Sequence, residues 1–262
     1  MSRSTPGRPP RFSRERLAQV AFEIADREGF EAVSMRRVAQ ELGAGTMTLY
    51  NYVRTKDELV ALMDDQLMGE LLVSEEELAR PWRDALSAIL RRSYRMRMRH
   101  PWSLVALQKA GWGPNALRHA EQTMAALDDS PFSDEQKFAV MAVTDSFVDG
   151  HALRRVEVTR EQRADAEGDM VVGDRNRRTL LLIESGPYPR IRRGLLPGGG
   201  WGAKTADWMD ETFEYGLTAL LEGLVGQLCD QCRDECSSTT EREPAGVTEP
   251  TSRPADPASS PS

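Results

Sequence analysis

Residues Ser34–Lys56 read SMRRVAQELGAGTMTLYNYVRTK, and this stretch decides the fold. Ser34 is placed to cap a helix whose apolar positions Val38, Ala39 and Leu42 recur at helical spacing, and Gly43 supplies the left-handed residue that ends it. After a sharp turn, Thr46 to Val53 spells a second, very short helix, with Leu49 and Val53 facing inward and Thr46, Thr48 and Asn51 pointing elsewhere. Thr55-Lys56-Asp57-Glu58 has the spacing of a capping box and opens a further helix carrying Leu59, Leu62, Met63 and Leu67. Lys56 falls in the first turn of that helix, where backbone N–H groups also favour an anion.

Working outward, Ser13 caps a first helix, Arg14 to Glu28, with Leu17, Val20, Ala21, Ile24 and Ala25 on one face and Gly29 as its stop. Three short helices in this order form a helix-turn-helix unit, the geometry that lays its last helix in a DNA major groove. Arg3, Arg8 and Arg11 precede it in a Pro/Gly-rich arm suited to a phosphate backbone or a minor groove.

Charge distribution supports the same reading. The 262 residues carry a net charge of −7, which by itself argues against a nucleic-acid binder. Residues 1–56, however, hold ten Lys/Arg against six Asp/Glu, a local +4 that leaves −11 on the remainder. The basic end is the DNA end. No apolar run approaches the roughly 18 residues of a membrane span, and Glu222 interrupts the stretch from Leu217 to Leu228. With no charged-then-apolar leader after Met1 and only three cysteines, the expected location is the cytoplasm, with no membrane partner and no cofactor.

The run LG..T.TLY.Y...K..L within Ser13 to Leu67 resembles the TetR family of bacterial one-component transcription regulators, with the glycine turn, Thr-Leu-Tyr and the lysine in register. HPW at His100–Trp102, GPN at Gly113–Asn115 and FEYGLTALLEGL at Phe213–Leu224 resemble the tetracycline-repressor-like C-terminal branch. The resemblance implies an all-α protein: a three-helix DNA-binding domain over 13–60 after a basic arm at 1–12, then a helical effector-binding and dimerisation domain over 61–236. It implies operator contacts by position. Arg36, Thr46, Met47, Thr48 and Asn51 would meet base edges or the groove, Arg37, Tyr50, Tyr52 and Lys56 would meet the backbone, and Arg11 in the arm and Ser34 are counted with the DNA contacts. Tyr50 also has a plain reading as a core tyrosine, and a packed ring with a wet hydroxyl serves both roles.

Beyond Pro81 the periodicity is helical. Ser133 to Arg163 carries two apolar stripes, Phe138-Met141-Val148-Ala152 and Val140-Thr144-Phe147-His151, as a helix covered on both sides would. Asp207 to about Cys232 sets Phe213, Leu217, Leu221, Leu224 and Leu228 beside Gly216, Ala219, Gly223 and Gly226, a small-residue face that lets another helix approach closely. The resemblance makes these two helices the four-helix seam of a homodimer; packing within one subunit is the alternative. It also gathers His100, Trp102, Trp112, Asn115, Met141, Thr144, Phe147 and His151 around a pocket for a small organic effector, although His, Met and Trp on helices are more often core.

The remaining segments read more simply. Thr179 to Glu184 has room for a helical turn, but SGPYPRIRRGLLPGGGWG is expected to be mostly loop, and Ser237 to Ser262, rich in Pro and Ser/Thr, a disordered tail. Gly198–Thr205 imitates a phosphate loop and fails, because Ala203 separates Gly202 from Lys204 and no strand precedes it. Cys229, Cys232 and Cys236 share a helix face, which keeps a metal- or redox-sensing regulator as an alternative, without an evident fourth ligand. An enzyme using His100 or His151 is the weaker rival, since no nucleophile or metal set accompanies either. The expectation is a dimeric repressor on double-stranded, pseudo-palindromic operator DNA.

Overall fold

The computed structural model describes residues 12–106, 111–195 and 206–240, and every regular element among them is helical. Helix α1 (Arg14–Glu28) begins at Ser13, whose hydroxyl accepts from the Arg16 N–H, and ends at Gly29 with φ +89°. α2 (Met35–Glu41) begins at Ser34 in the same way, and Gly43 takes φ +59° in the turn that follows. The expected apolar faces close over one another: Leu17, Val20, Ile24, Val33, Val38, Leu49, Val53, Leu59 and Met63 form a single core.

Two details differ from the sequence reading. The regular part of α3 is Thr46–Leu49 alone; the chain continues to Val53 through tighter turns, with Asn51 N–H on the Thr48 carbonyl at 3.3 Å and Tyr52 N–H on Leu49 at 2.9 Å. The box at Thr55 is half made. Thr55 Oγ1 accepts from Glu58 N–H at 3.0 Å, but the Glu58 carboxylate turns to Arg54 N–H at 2.7 Å and to the Arg14 guanidinium at 2.6 Å.

The domain boundary expected at 60/61 falls inside one unbroken helix, α4 (Lys56–Gly69). Leu59 and Met63 belong to the head core, whereas Leu67 joins Phe22, Leu71 and Met96 in a second cluster. The two parts therefore share a rigid rod. After α5 (Glu75–Leu78), the helical domain is built from α6 (Trp82–Arg99), α7 (Ser103–Ala106), α8 (Pro114–Ala125), α9 (Asp134–Ala166) and α12 (Ala206–Thr240). Its core joins Leu86, Leu90 and Tyr94 of α6 to Val140, Val148 and Ala152 of α9 and Phe213, Leu217 and Leu221 of α12.

This core corrects the reading of the last helix. Leu217 and Leu221 are buried inside the subunit, so they are not themselves a dimer seam. Gly216 is needed here: a Cβ would lie 2.8 Å from the Phe147 ring, so this glycine lets α9 and α12 close within one chain. Gly223 and Gly226 face open space. On α9 the buried stripe is Val140, Thr144, Val148 and Ala152, while Phe138 is exposed. The helix runs on to Thr240, past the boundary expected at 236, and the rest of the expected tail lies outside the described residues, as does Gly198–Thr205.

The stretch from Ser185 expected to be mostly loop contains a helix, α11 (Pro189–Leu195), and the turn allowed at Thr179–Glu184 is the end of a longer one, α10 (Met170–Ser185); the two form a hairpin against α9. Pro189 stands at the first position of α11, where no N–H is required. Arg192 donates to the carbonyls of Ile183 at 3.3 Å and Gly186 at 3.1 Å, satisfying the open end of α10.

Leu217→Ala is expected to cost about 2–5 kcal/mol in a urea unfolding titration, because it opens a cavity among α6, α9 and α12. Truncation after Gly216 should lose helical circular dichroism rather than simply separate subunits; a folded monomer after that cut would contradict the shared core.

Candidate functional site

The head presents one polar face. Met47 is 78% exposed and Tyr50 42%, with Thr48 and Asn51 also exposed and Thr46 half-buried, while Leu49 and Val53 anchor the segment below. Arg36 is exposed on α2, with no ion pair among the described residues. Lys56 is exposed, its Nζ 5.3 Å from the centre of the Phe30 ring. Tyr52 is half-buried, edge-on to Phe12 at 6.4 Å.

Two expected contacts have other work. Arg37 is bound by Glu28 at 2.7 Å and Glu41 at 2.6 Å, a network that also takes in Arg27 and holds the Glu28 carboxyl down at about 2. Its guanidinium ties α2 to the end of α1, with three of its five N–H groups on these carboxylates. Ser34 Oγ accepts from Arg37 N–H at 3.1 Å as a helix cap, which leaves its O–H free to donate elsewhere. Arg11 lies outside the described residues.

The eight expected effector contacts are not brought together. His100 ends α6, and its Nδ1–H donates to Asp26 Oδ1 at 2.7 Å; Trp102 Nε1–H donates to the same oxygen at 2.6 Å. Both rings pack edge-on against Phe22, and Trp102 stacks on Phe30. They tie the helical domain to the head instead of lining a pocket. Asn115 N–H donates to Asp65 Oδ1 at 2.7 Å, fastening α8 to α4, and Trp112 is exposed. Thr144 is fully buried, its hydroxyl donating to the Val140 carbonyl at 2.8 Å. His151 bonds the Met209 carbonyl at 2.7 Å through Nε2, and Phe147 stacks with Phe213 at 5.5 Å, so both belong to the α9–α12 joint. Met141 is half-buried on α9 beside that seam.

A half-open cavity lies elsewhere, between α4, α6, α7 and α9. It is a cavity of about 260 Å³ walled by Asp64, Met96, Arg97, Ser103, Asp149 and Leu153, among others. A larger groove of about 600 Å³ beside Met98 and Pro101 is walled by Arg155, Arg160 and Arg163. The smaller one holds the unsatisfied chemistry. Asp64 is only 8% exposed, and burial, reinforced by the neighbouring Asp65 and only partly opposed by Arg97, pushes its carboxyl up to about 6. Arg97 pairs with Asp149. Ser103 is 7% exposed and its Oγ has no hydrogen-bond partner among the described residues. Behind this wall His119 is held down to about 4, first by burial and then by Arg97, and so stays neutral at pH 7.

Sequence reasoning missed Asp64, Arg97, Ser103 and Asp149 as pocket residues. A signal existed at Asp64, a carboxylate following Met63 on a helix whose inward face includes Leu67. No group of His, Cys, Asp and Glu among the described residues is arranged to hold a metal ion, and none of the helices there is long and apolar enough to cross a membrane. The side chains of Cys229, Cys232 and Cys236 lie outside the described residues.

Because the folded Asp64 carboxyl titrates near 6 and an unfolded one near 4, the native state holds the extra proton between those values. Stability should fall as pH rises through that window and carry the full penalty above it. Asp64→Asn is therefore expected to stabilise the protein by about 1–3 kcal/mol at pH 7.5 and to flatten the decline between pH 4 and 6, read from urea titrations at each pH. A variant less stable than wild type at pH 7.5 would contradict an uncompensated carboxylate at this position.

With this geometry in hand, comparison with known proteins is specific. The family of bacterial regulatory proteins of the tetR type matches residues 17–63, and the tetracyclin repressor-like C-terminal domain matches residues 77–228. The HTH-type transcriptional repressor DrrR1 of Streptomyces coeruleorubidus is 31% identical over 227 residues, 85% of this chain and 80% of that protein. An HTH-type transcriptional regulator of Saccharopolyspora erythraea is 28% identical over 217 residues, covering 82% and 86%. The solved structure of ActR of Streptomyces coelicolor in complex with actinorhodin aligns with TM-score 0.66 at 28% identity, covering 83% of this chain and 97% of that one. The chain belongs to the tetR family of bacterial regulatory proteins.

Proposed function

We propose that this protein is a cytoplasmic transcriptional repressor, without enzymatic turnover, that binds a pseudo-palindromic operator as a homodimer and is released by a small organic effector. The observation that carries it is a covalent adjacency. Trp102 bonds Asp26 of the DNA head, and the next residue, Ser103, lines the cavity. A molecule that moves Ser103 or Leu104 has to strain the clamp on α1, and a clamp held in one position restrains the cavity wall. A shift of about 1–3 kcal/mol between the two sites changes operator affinity some 5- to 150-fold, and reciprocity requires the same factor in effector affinity when operator is present.

Other features support the reading. Met47, Thr48, Tyr50 and Asn51 form the exposed tip of the helix-turn-helix, with Arg36 and Lys56 beside it. Phe138 and Val143 of α9, and Tyr215, Ala219, Gly223 and Gly226 of α12, are an exposed apolar and small-residue surface, which a second copy would cover. A symmetric dimer would set its recognition helices about 34–36 Å apart, one turn of DNA. The relatives named as repressors, and ActR, solved with actinorhodin, fit the same scheme.

Selection of bound sequences from a random DNA pool tests the proposal, with dyad-symmetric sites expected and an unenriched pool against it. On the selected site, Lys56→Ala should weaken binding nearly equally for all sequences and lower the salt slope by about one unit, whereas Arg36→Ala should also relax sequence preference. Wild-type behaviour of both variants would move the DNA surface away from the helix-turn-helix.

A further inference from the structure

The cavity between α4, α6, α7 and α9 is unbalanced in what it leaves unsatisfied. Its guanidinium already has a counter-ion: Arg97 pairs with Asp149 and donates to the Ser93 carbonyl at 3.3 Å. Asp64 is not. Nine-tenths buried, it makes no hydrogen bond and no ion pair among the described residues, while its neighbour Asp65 is engaged by Asn115. Ser103 Oγ, equally buried in another wall, also lacks a partner.

An ionised carboxylate only accepts hydrogen bonds, so the missing complement is a donor, and the strongest donor for it is a charged one. An anionic ligand is poorly matched. At the remaining N–H groups of Arg97 it meets a guanidinium already neutralised by Asp149 and also faces Asp64, with Asp145 within Coulombic reach of Arg97. His119, on α8, stays neutral and adds no positive charge. Leu67, Met96 and Leu153 supply an apolar wall for the body of a ligand.

We propose that the effector site is selective for an organic cation, a protonated amine on an apolar body, with Asp64 accepting from the ammonium and Ser103 Oγ as a second polar contact. The ammonium supplies the counter-ion that Asp64 lacks, and Arg97 and Asp149 remain paired to each other. This rests on reading the cavity as the effector site, and it narrows the chemical class beyond what that reading requires.

The test uses the full-length protein, without DNA, and three probes of nearly equal shape at pH 7.5: 1-naphthylmethylamine (cationic), 1-naphthalenemethanol (neutral) and 1-naphthoate (anionic). Calorimetric or fluorescence titration should find the amine bound at least about 10-fold more tightly than either analogue. Asp64→Asn should remove about 10-fold of the amine's affinity and leave the alcohol's unchanged. The wild-type comparison stands even if the variant misfolds. Equal affinities, preference for the naphthoate, an amine insensitive to Asp64→Asn, or no saturable amine binding would each overturn the proposal. Because no operator is present, these results are independent of the DNA selection, so the cation class and the regulator reading fail separately.

Discussion

The structure depends on one carboxylate. Asp26, in the last turn of α1, accepts both the His100 Nδ1–H and the Trp102 Nε1–H on a single oxygen. Charge-assisted bonds of this kind are roughly twice as strong as neutral ones, and here they are backed by Phe22 and Phe30 against the same two rings. The clamp coincides with the end of α6, sets where α7 begins, and so places Ser103 and Leu104 in the cavity wall. Together with the unbroken α4, it makes the head and the helical domain two ends of one lever.

The cavity has been built at a cost to stability. A largely buried carboxylate with no donor among the described residues, beside a second carboxylate at Asp65, is a group that core packing alone would replace with a leucine. The rest of the domain offsets it. Tyr94 stacks on Phe213 at 4.0 Å and donates to Asp210 at 2.7 Å, and Arg155 supports the same carboxylate at 3.2 Å. Such a division, a satisfied core beside an unsatisfied cavity, is what a protein that must respond to a ligand requires.

The short motifs that carried the resemblance acquire separate physical reasons. HPW is the clamp. In GPN, a Cβ at Gly113 would collide with the Asp65 carboxyl, Pro114 fits the first position of α8, and Asn115 completes the bond to Asp65. In FEYGLTALLEGL, Phe213, Leu217 and Leu221 face the core and Gly216 makes room for Phe147. These motifs hold elements together, and the cavity is walled by neighbouring residues that resemblance alone did not mark.

What the sequence determined by itself is local. Helix starts at Ser13, Ser34 and Thr55, stops at Gly29 and Gly43, and the apolar stripe of α1 follow from hydrogen bonding and side-chain spacing within a few residues, and each stands where those rules put it. So does the exposed face of the recognition segment, because burying Leu49 and Val53 turns Thr48 and Asn51 outward. What only the tertiary structure decided is which inward residues meet a cavity and which meet core. His100, Trp102, Phe147 and His151 found partners on Asp26, Phe22, Phe213 and Met209, far away in the chain, whereas the Asp64 carboxylate and Ser103 Oγ have no hydrogen-bond partner among the described residues. Satisfaction of a buried polar group is a property of the neighbours folding brings to it, and helical spacing along one segment carries no information about that.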